Sequence, residues 1–264
     1  MKLPACATLL LHLDGGVLHL TLNRPDCRNA MSLAMVEELR EVLGWLRDQP
    51  DVRALVVRGA GGHFCAGGDI RDMAAARAQG AAAYRTLNRS FGSLLEEAQA
   101  IPQVLIAVLE GAVLGGGLGL ACVCDIAIAR DDAQFGLPET TLGVLPAQIA
   151  PFVAARIGLT QARRLALTAA RFDGSQAERL GLVHFSESTE DALEHRLAET
   201  LAQVRRCAPQ ANARTKALLL ASQQQALGPL LDLAAEQFAA AVTGAEGAEG
   251  TRAFVEKRPP SWAQ

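Results

Sequence analysis

The chain predicts an α/β fold, and three observations carry that expectation. Short apolar runs at 17–22, 54–58 and 104–109 alternate with longer stretches of helical periodicity. Two glycine-rich turns, His63-Phe64-Cys65-Ala66-Gly67-Gly68-Asp69-Ile70 and Gly111-Ala112-Val113-Leu114-Gly115-Gly116-Gly117-Leu118-Gly119, each follow such a run and lead toward a helix-like stretch. From about Thr160 onward the chain reads as mostly helical.

Taken in order, residues 8–12 and 17–22 read as strands around a Gly15-Gly16 turn. Ser32 is placed to cap a helix running to about Arg47, with Leu33, Val36, Leu39, Leu43 and Leu46 on one face. Residues 54–58 form a buried strand. A polar, alanine-rich stretch follows over 72–100, and Ile101-Pro102 breaks it before the strand at 104–109. The Gly115 turn opens a short helix, and 126–129 is a further strand. Together these make a strand–strand–helix plan too irregular to register as a sequence repeat. Amphipathic runs then cover 189–206, 211–225, 229–242 and 245–256, and so many apolar helix faces need partners. The division expected from this pattern is a core over 1–195 and a helical tail over 196–264.

At 264 residues with 50% hydrophobic content, the chain can bury a sizeable core in one large domain or a domain with an appendage. One Tyr and two Trp leave Ala, Leu and Val to fill it. A formal net charge of −3 gives no general attraction to nucleic acid or an anionic membrane. The six cysteines read as free thiols; Cys122 and Cys124 have no second pair, and the histidines lack ligand spacing, so no metal site is expected. The opening segment is interrupted by His12 and Asp14 and is followed by no cleavage region, and the apolar stretch 111–124 is too short and glycine-rich to span a bilayer. The expectation is a soluble cytoplasmic protein with no membrane or nucleic-acid partner.

Glycine lets a backbone approach a ligand closely. Two such turns side by side can aim two N–H groups at one oxygen and stabilise charge developing on a thioester carbonyl. Neither turn has the lysine of a P-loop, and Gly115-x-Gly117 lacks the third glycine of a dinucleotide fingerprint. Taken alone, a glycine-rich turn also fits tight packing of a helix on a sheet.

Further segments stand in register with a known family. They are Leu22-Asn23-Arg24-Pro25 with Arg28-Asn29-Ala30, the two glycine-rich turns, Cys124-Asp125-Ile126, Phe135-Gly136-Leu137-Pro138-Glu139, and Ala253-Phe254-Val255-Glu256-Lys257-Arg258. On these the chain resembles the crotonase superfamily, the enoyl-CoA hydratases and isomerases. Residues 142–152 and 156–172 are similar to the isohexenylglutaconyl-CoA hydratases of acyclic terpene breakdown. The resemblance implies a spiral of strand–strand–helix turns, an acyl-CoA substrate with no separate cofactor, and a helical tail that builds homotrimers, often paired as hexamers. The plainer alternative is a tail that folds over its own core.

The resemblance also implies roles. The backbone N–H groups of Ala66 and Gly116 are the expected oxyanion donors, and Glu139, following Pro138 in a first helical turn, is the expected acid/base. The turn Ala66-Gly67-Gly68-Asp69-Ile70 is where the family binds the coenzyme, though Asp69 suits a brace better than a ligand. Arg28 stands where a basic residue meets the coenzyme, and Arg24 reads as structural. Phe254 and Lys257 match a pair that reaches the adenine and phosphate from a neighbouring subunit or the tail.

The chain departs from the family at Gly119, where hydratases often carry a second glutamate. Either one carboxylate serves both steps, with a single water delivering its hydroxyl and its proton, or a group from elsewhere or the substrate itself helps; Gly119 is expected to free volume for a long branched acyl chain. Gln148, in place of a glycine-rich run, is a candidate for receiving a free substrate carboxylate or orienting water; a solvent-facing glutamine is the alternative. The function expected is hydration of a branched, carboxylated enoyl-CoA. A double-bond isomerase or a decarboxylase on the same fold is the runner-up, favoured by Gly119. A non-catalytic acyl-CoA- or RNA-binding protein is the reading from another class; the acidic balance opposes RNA and Glu139 opposes a dead enzyme.

Overall fold

Gly15 and Gly16 both take left-handed backbone (φ +51° and +74°), which turns the first apolar run back on itself. The computed structural model, which describes residues 2–263, accordingly opens with an antiparallel hairpin of β1 (Leu9–Asp14) and β2 (Val17–Leu22). α1 (Leu33–Arg47) follows, and its cap is the expected one: the Ser32 hydroxyl accepts from the Met35 N–H. After β3 (Ala54–Gly59) the polar stretch becomes two helices, α2 (Ile70–Gln79) and α3 (Ala81–Gln99). Gly80 separates them at φ +99°, a conformation no helix interior holds.

β4 (Val104–Leu109) leads through Gly111 to β5 (Ala112–Leu114), and α4 (Gly116–Val123) opens directly from the Gly115 turn. β6 (Ile126–Arg130), β7 (Gln134–Gly136), α5 (Ala150–Thr168), α6 (Gly174–Arg179) and β8 (Phe185–Glu187) complete the body with α7 (Glu190–Arg206). The three-residue strands β5, β7 and β8 are too short to show a period in the sequence.

The main sheet has the order β1-β2-β3-β4-β6-β8, parallel throughout except for the β1–β2 hairpin. β5 and β7 pair in parallel as a separate two-stranded sheet. The central strands bury both faces, whereas the edge strand β1 exposes Leu10. Leu18, Leu20, Leu22, Leu55, Val57, Leu105 and Ala107 pack on the side of α1, α3, α4 and α5. Val17, Val56, Ile106, Val108 and Ile128 pack on the other side under Leu193, Leu197, Leu201 and Val204 of α7. α7 therefore belongs to the body. A division at residue 195 would cut this helix, and the structural break falls instead at Cys207, after its last turn.

The tail is α8 (Pro209–Ala221), α9 (Leu227–Thr243) and α10 (Ala245–Val255). It is fastened along the edge where the parallel strands begin. The Lys216 ammonium bridges Asp125, just before β6 (2.7 Å), and donates to the Gln103 carbonyl, just before β4 (3.1 Å). The Arg53 guanidinium, just before β3, donates to the carbonyls of Cys207 and Trp262. A cleft of about 1460 Å³ lies along this seam, between the Gly15-Gly16 turn, α7 and Trp262. The glycine-rich turns lie at the opposite edge, where β3 and β4 end. Among the described residues no helix is long and apolar enough to cross a membrane, and no group of His, Cys, Asp and Glu is arranged to hold a metal.

Candidate active site

Residues 65–69 run between two other pieces of backbone. On one side lies β5: the Cys65 N–H donates to the Ala112 carbonyl (2.8 Å), and the Leu114 N–H donates to the Cys65 carbonyl (2.9 Å). On the other side lie residues 28–31. The Ala66 N–H donates to the Arg28 carbonyl (2.9 Å), the Met31 N–H to the Gly67 carbonyl (2.8 Å), and the Asp69 N–H to the Met31 carbonyl (2.9 Å).

This pattern corrects the expectation for Ala66. Its N–H is already committed to Arg28 and is not free for a substrate oxygen. The amide left over is that of Gly68. The Gly67 carbonyl faces Met31, and across a trans peptide the following N–H points the opposite way, toward the side where β5 ends. Gly68 N–H has no acceptor among the described residues. Gly116, the first residue of α4, likewise leaves its N–H without an acceptor, as first-turn amides do. The helix dipole adds positive potential there.

The glycines between these two amides are sterically obligatory. Gly115 sits at φ +49°, and a Cβ on it would lie 3.7 Å from Gly67 Cα and 2.8 Å from Glu139 Oε1. A Cβ on Gly117 would strike Cys65, 2.6 Å from its carbonyl oxygen. Cys65 itself is fully buried, and burial pushes its thiol pKa up to about 12, which keeps it protonated.

The turn is braced from below. Asn29 is fully buried at φ 56°; its side-chain oxygen accepts from Arg24 N–H (2.8 Å), and its amide donates to the carbonyls of Ala60 (2.9 Å) and His63 (2.6 Å). Arg24 bridges Asp69 at 2.7 Å, and Asp69 also caps α2 by accepting from the Arg71 N–H. The Asp69 side chain is thus a brace, correcting its inclusion among groups that touch the substrate. Arg28 is exposed at φ 50°, with no carboxylate partner among the described residues, and Ile70 is exposed above the turn.

Glu139 begins a single 3-10 turn after Pro138. Its Oε2 is buried and has no hydrogen-bond partner. Burial holds its pKa above the ordinary carboxylate value, partly offset by a hydrogen bond from its own backbone N–H. A carboxyl of this kind, beside Gly115, which stands next to Gly116 in the chain and close to Gly67, can accept and return a proton next to an enolate held by unpaired backbone donors.

Gly119 departs from expectation. A Cβ there would collide with Ile149 Cγ2, lie 2.9 Å from Ile149 Cβ and touch Leu95. The space a second glutamate would use is filled by the buried Ile149 side chain and is not open to an acyl chain. Gln148 does not simply face solvent: its Nε2 donates to Asn88 Oδ1 (2.8 Å), and its carboxamide lies over Gly92 of α3. Phe254 and Lys257 are exposed on the tail, whose anchors lie at the opposite edge of the sheet, so the chain does not bring them to its own glycine turns. The sequence reading missed Phe91, whose ring tip is 3.3 Å from the position of a Gly116 Cβ, and Ile149. The helical spacing of Phe91, Gly92 and Leu95 on α3 was the available signal, but nothing in it says what the face meets.

The family model described as enoyl-CoA hydratase/isomerase matches residues 12–264. A mevalonyl-coenzyme A hydratase of Aspergillus fumigatus is 34% identical, covering 93% of this chain and 91% of that protein. A peroxisomal Delta(3,5)-Delta(2,4)-dienoyl-CoA isomerase of Arabidopsis thaliana is 32% identical over 95% and 94%. Among solved structures, Pseudomonas aeruginosa AtuE is 75% identical with a TM-score of 0.97, covering 98% of this chain and 100% of that one. An enoyl-CoA hydratase/isomerase from Marinobacter aquaeolei is 55% identical with a TM-score of 0.96 over 98% and 100%.

Three stability outcomes follow from this geometry. Asn29→Ala strands the groups it bonds and should lower the unfolding free energy in urea by about 2–4 kcal/mol. Gly119→Glu should lower the melting temperature by forcing Ile149 out and burying a charge, and Ile149→Ala in the same chain should recover part of the loss. Glu139→Gln should raise stability at neutral pH. The native carboxyl has the higher pKa, so wild-type stability falls as pH rises from the ordinary carboxylate range through the raised value. The advantage of the variant should vanish below that range, which melting curves across pH would register.

Proposed function

We propose, on the premise that this chain belongs to the enoyl-CoA hydratase/isomerase family, that it adds water across the α,β double bond of a branched, carboxylated enoyl-CoA, with isohexenylglutaconyl-CoA as its substrate. The single observation that carries the mechanism is the buried, unpartnered Glu139 oxygen beside two free glycine amides. Support for the substrate comes from residues 142–152 and 156–172, and from the high identity to AtuE along the whole chain.

In this reading Glu139 takes a proton from water as the hydroxyl bonds to the β-carbon. The electron pair of the double bond moves to the thioester, whose oxygen receives the Gly68 and Gly116 N–H groups. Glu139 then returns the proton to the α-carbon, so one carboxyl serves both steps and the addition balances as one water. A tertiary β-carbon eases the attack by carrying positive character. Arg28, exposed beside the turn, is assigned to the coenzyme phosphates, and the backbone from Gly67 to Ile70 to its pantetheine and adenine. No metal or redox cofactor enters these steps.

The tail exposes Leu227, Leu231, Phe238, Val242, Phe254 and Val255. We assign this apolar surface to contacts between copies in a homotrimer or a dimer of trimers, with Phe254 and Lys257 serving the coenzyme of a neighbouring copy. A cytoplasmic setting fits the six free thiols.

Isomerisation is the second reading. It is favoured by Gly119, because shuttling a proton between carbons needs only one carboxyl. Product mass from purified protein and isohexenylglutaconyl-CoA decides: a gain of one water establishes hydration, and an unchanged mass with a moved double bond establishes isomerisation. Loss of carbon dioxide would instead mark decarboxylation, and no turnover of any acyl-CoA would favour a binding protein. Glu139→Gln should lower kcat by about 10²–10⁴ with little change in KM. The acid limb of the wild-type kcat/KM profile should lie above the ordinary carboxylate range, since Glu139 must be ionised to take the first proton.

A further inference from the structure

α3 turns more than Phe91 toward the site. One residue further along, Gly92 is buried and leaves a notch where its side chain would be. The Gln148 carboxamide fills that notch oxygen first: Oε1 is its nearest atom to the missing Cβ, Cδ is 2.8 Å from it, and Arg89 Nη1 is 2.9 Å from the same point. The Arg89 guanidinium and the Gln148 carboxamide oxygen therefore meet over Gly92, and the negative end of that dipole holds the cation in place. Gln148 in turn donates to Asn88 Oδ1 at 2.8 Å. This leaves the Asn88 amide, the second N–H of Gln148 and Arg89 Nη1 without an acceptor among the described residues. The other terminal nitrogen, Arg89 Nη2, pairs with Glu96 at 2.6 Å, but both side chains are more than half exposed. Solvent screens such a pair, so Glu96 does little to cancel the positive charge.

The Arg89 cation, with the unfilled N–H groups of Gln148 and Asn88 near it, thus gathers around Gly92, next in sequence to Phe91, whose ring tip is 3.3 Å from the position of a Gly116 Cβ. Hydrocarbon has no use for such a cluster, whereas a carboxylate accepts from all of these groups. We propose that Arg89, with the carboxamides of Gln148 and Asn88, forms the subsite that receives the second carboxylate of a dicarboxylic acyl-CoA. Arg89 is then the residue that distinguishes such substrates from enoyl-CoAs ending in hydrocarbon. Gly92 is the positioning residue, because any side chain there would expel the Gln148 amide. The inference rests on the dicarboxylic substrate reading, and it can be tested without turnover.

Glutaryl-CoA and butyryl-CoA are saturated, cannot be hydrated, and differ at the far carboxylate. Calorimetric titration of the full-length protein should give glutaryl-CoA a Kd about tenfold to a hundredfold lower, the worth of a charge-assisted hydrogen bond or two. Arg89→Met should abolish that preference while leaving the Kd for butyryl-CoA unchanged. Gly92→Ala, a favourable change for a helix interior, should erode it through Gln148. Equal affinities in the wild type, or a preference that survives Arg89→Met, would overturn the subsite. Failure of hydration would appear separately, as a wild-type product mass without added water.

Discussion

The site depends on the hydrogen bonding of residues 65–69. This short stretch is paired to β5 on one side and to residues 28–31 on the other, so among the described residues every backbone N–H in it except that of Gly68 has an acceptor. Buried backbone that is fully paired cannot shift to suit a ligand. What remains is one amide, that of Gly68, directed past the end of β5 to where α4 begins. The buried Asn29 and the Arg24–Asp69 pair hold residues 28–31 in place, so groups far from the reacting atoms determine where that amide points. Such a donor is set before a substrate arrives and need not reorganise as charge develops.

Glu139 represents the opposite economy. Its carboxyl lies in a half-buried position with one oxygen unpartnered, an arrangement that does nothing for the folded state. The surrounding scaffold tolerates it because both faces of the main sheet are densely packed. Local instability of this sort is common where a group must change protonation during a reaction. The same carboxylate position made fully satisfied would be more stable and chemically idle.

Much of this molecule was legible in the sequence, and the reasons are local. Ser32 announced α1, Gly15-Gly16 the first hairpin, and the apolar runs the parallel strands, because each signal is contained within a few residues. The helix that opens at Gly116 and the turn that opens at Glu139 were legible from Gly115 and Pro138, which stand immediately before them. Ala66 was misassigned because a donor is free only if nothing else accepts from it, and its acceptor, Arg28, lies thirty-eight positions earlier along the chain at 2.9 Å. Gly119 was misread for a related reason: an absent side chain implies open space only when no neighbour fills it, and Ile149 comes from another part of the chain. The boundary at 195 failed because an amphipathic helix that packs on a sheet and one that packs on another copy have the same period.

The interlocking of Gly119 with Ile149 also bears on how one- and two-carboxylate active sites descend from one another. A lineage passing from this arrangement to a paired one cannot begin at 119, where any side chain meets an occupied space. It must first shrink the residue at 149 and pass through an ancestor with a small internal void, a state proteins survive more readily than overfilling or a trapped charge. The order of the two changes is therefore constrained by packing alone. Sequences with a small residue at both positions would mark the crossing point, and the present chain lies on one bank of it.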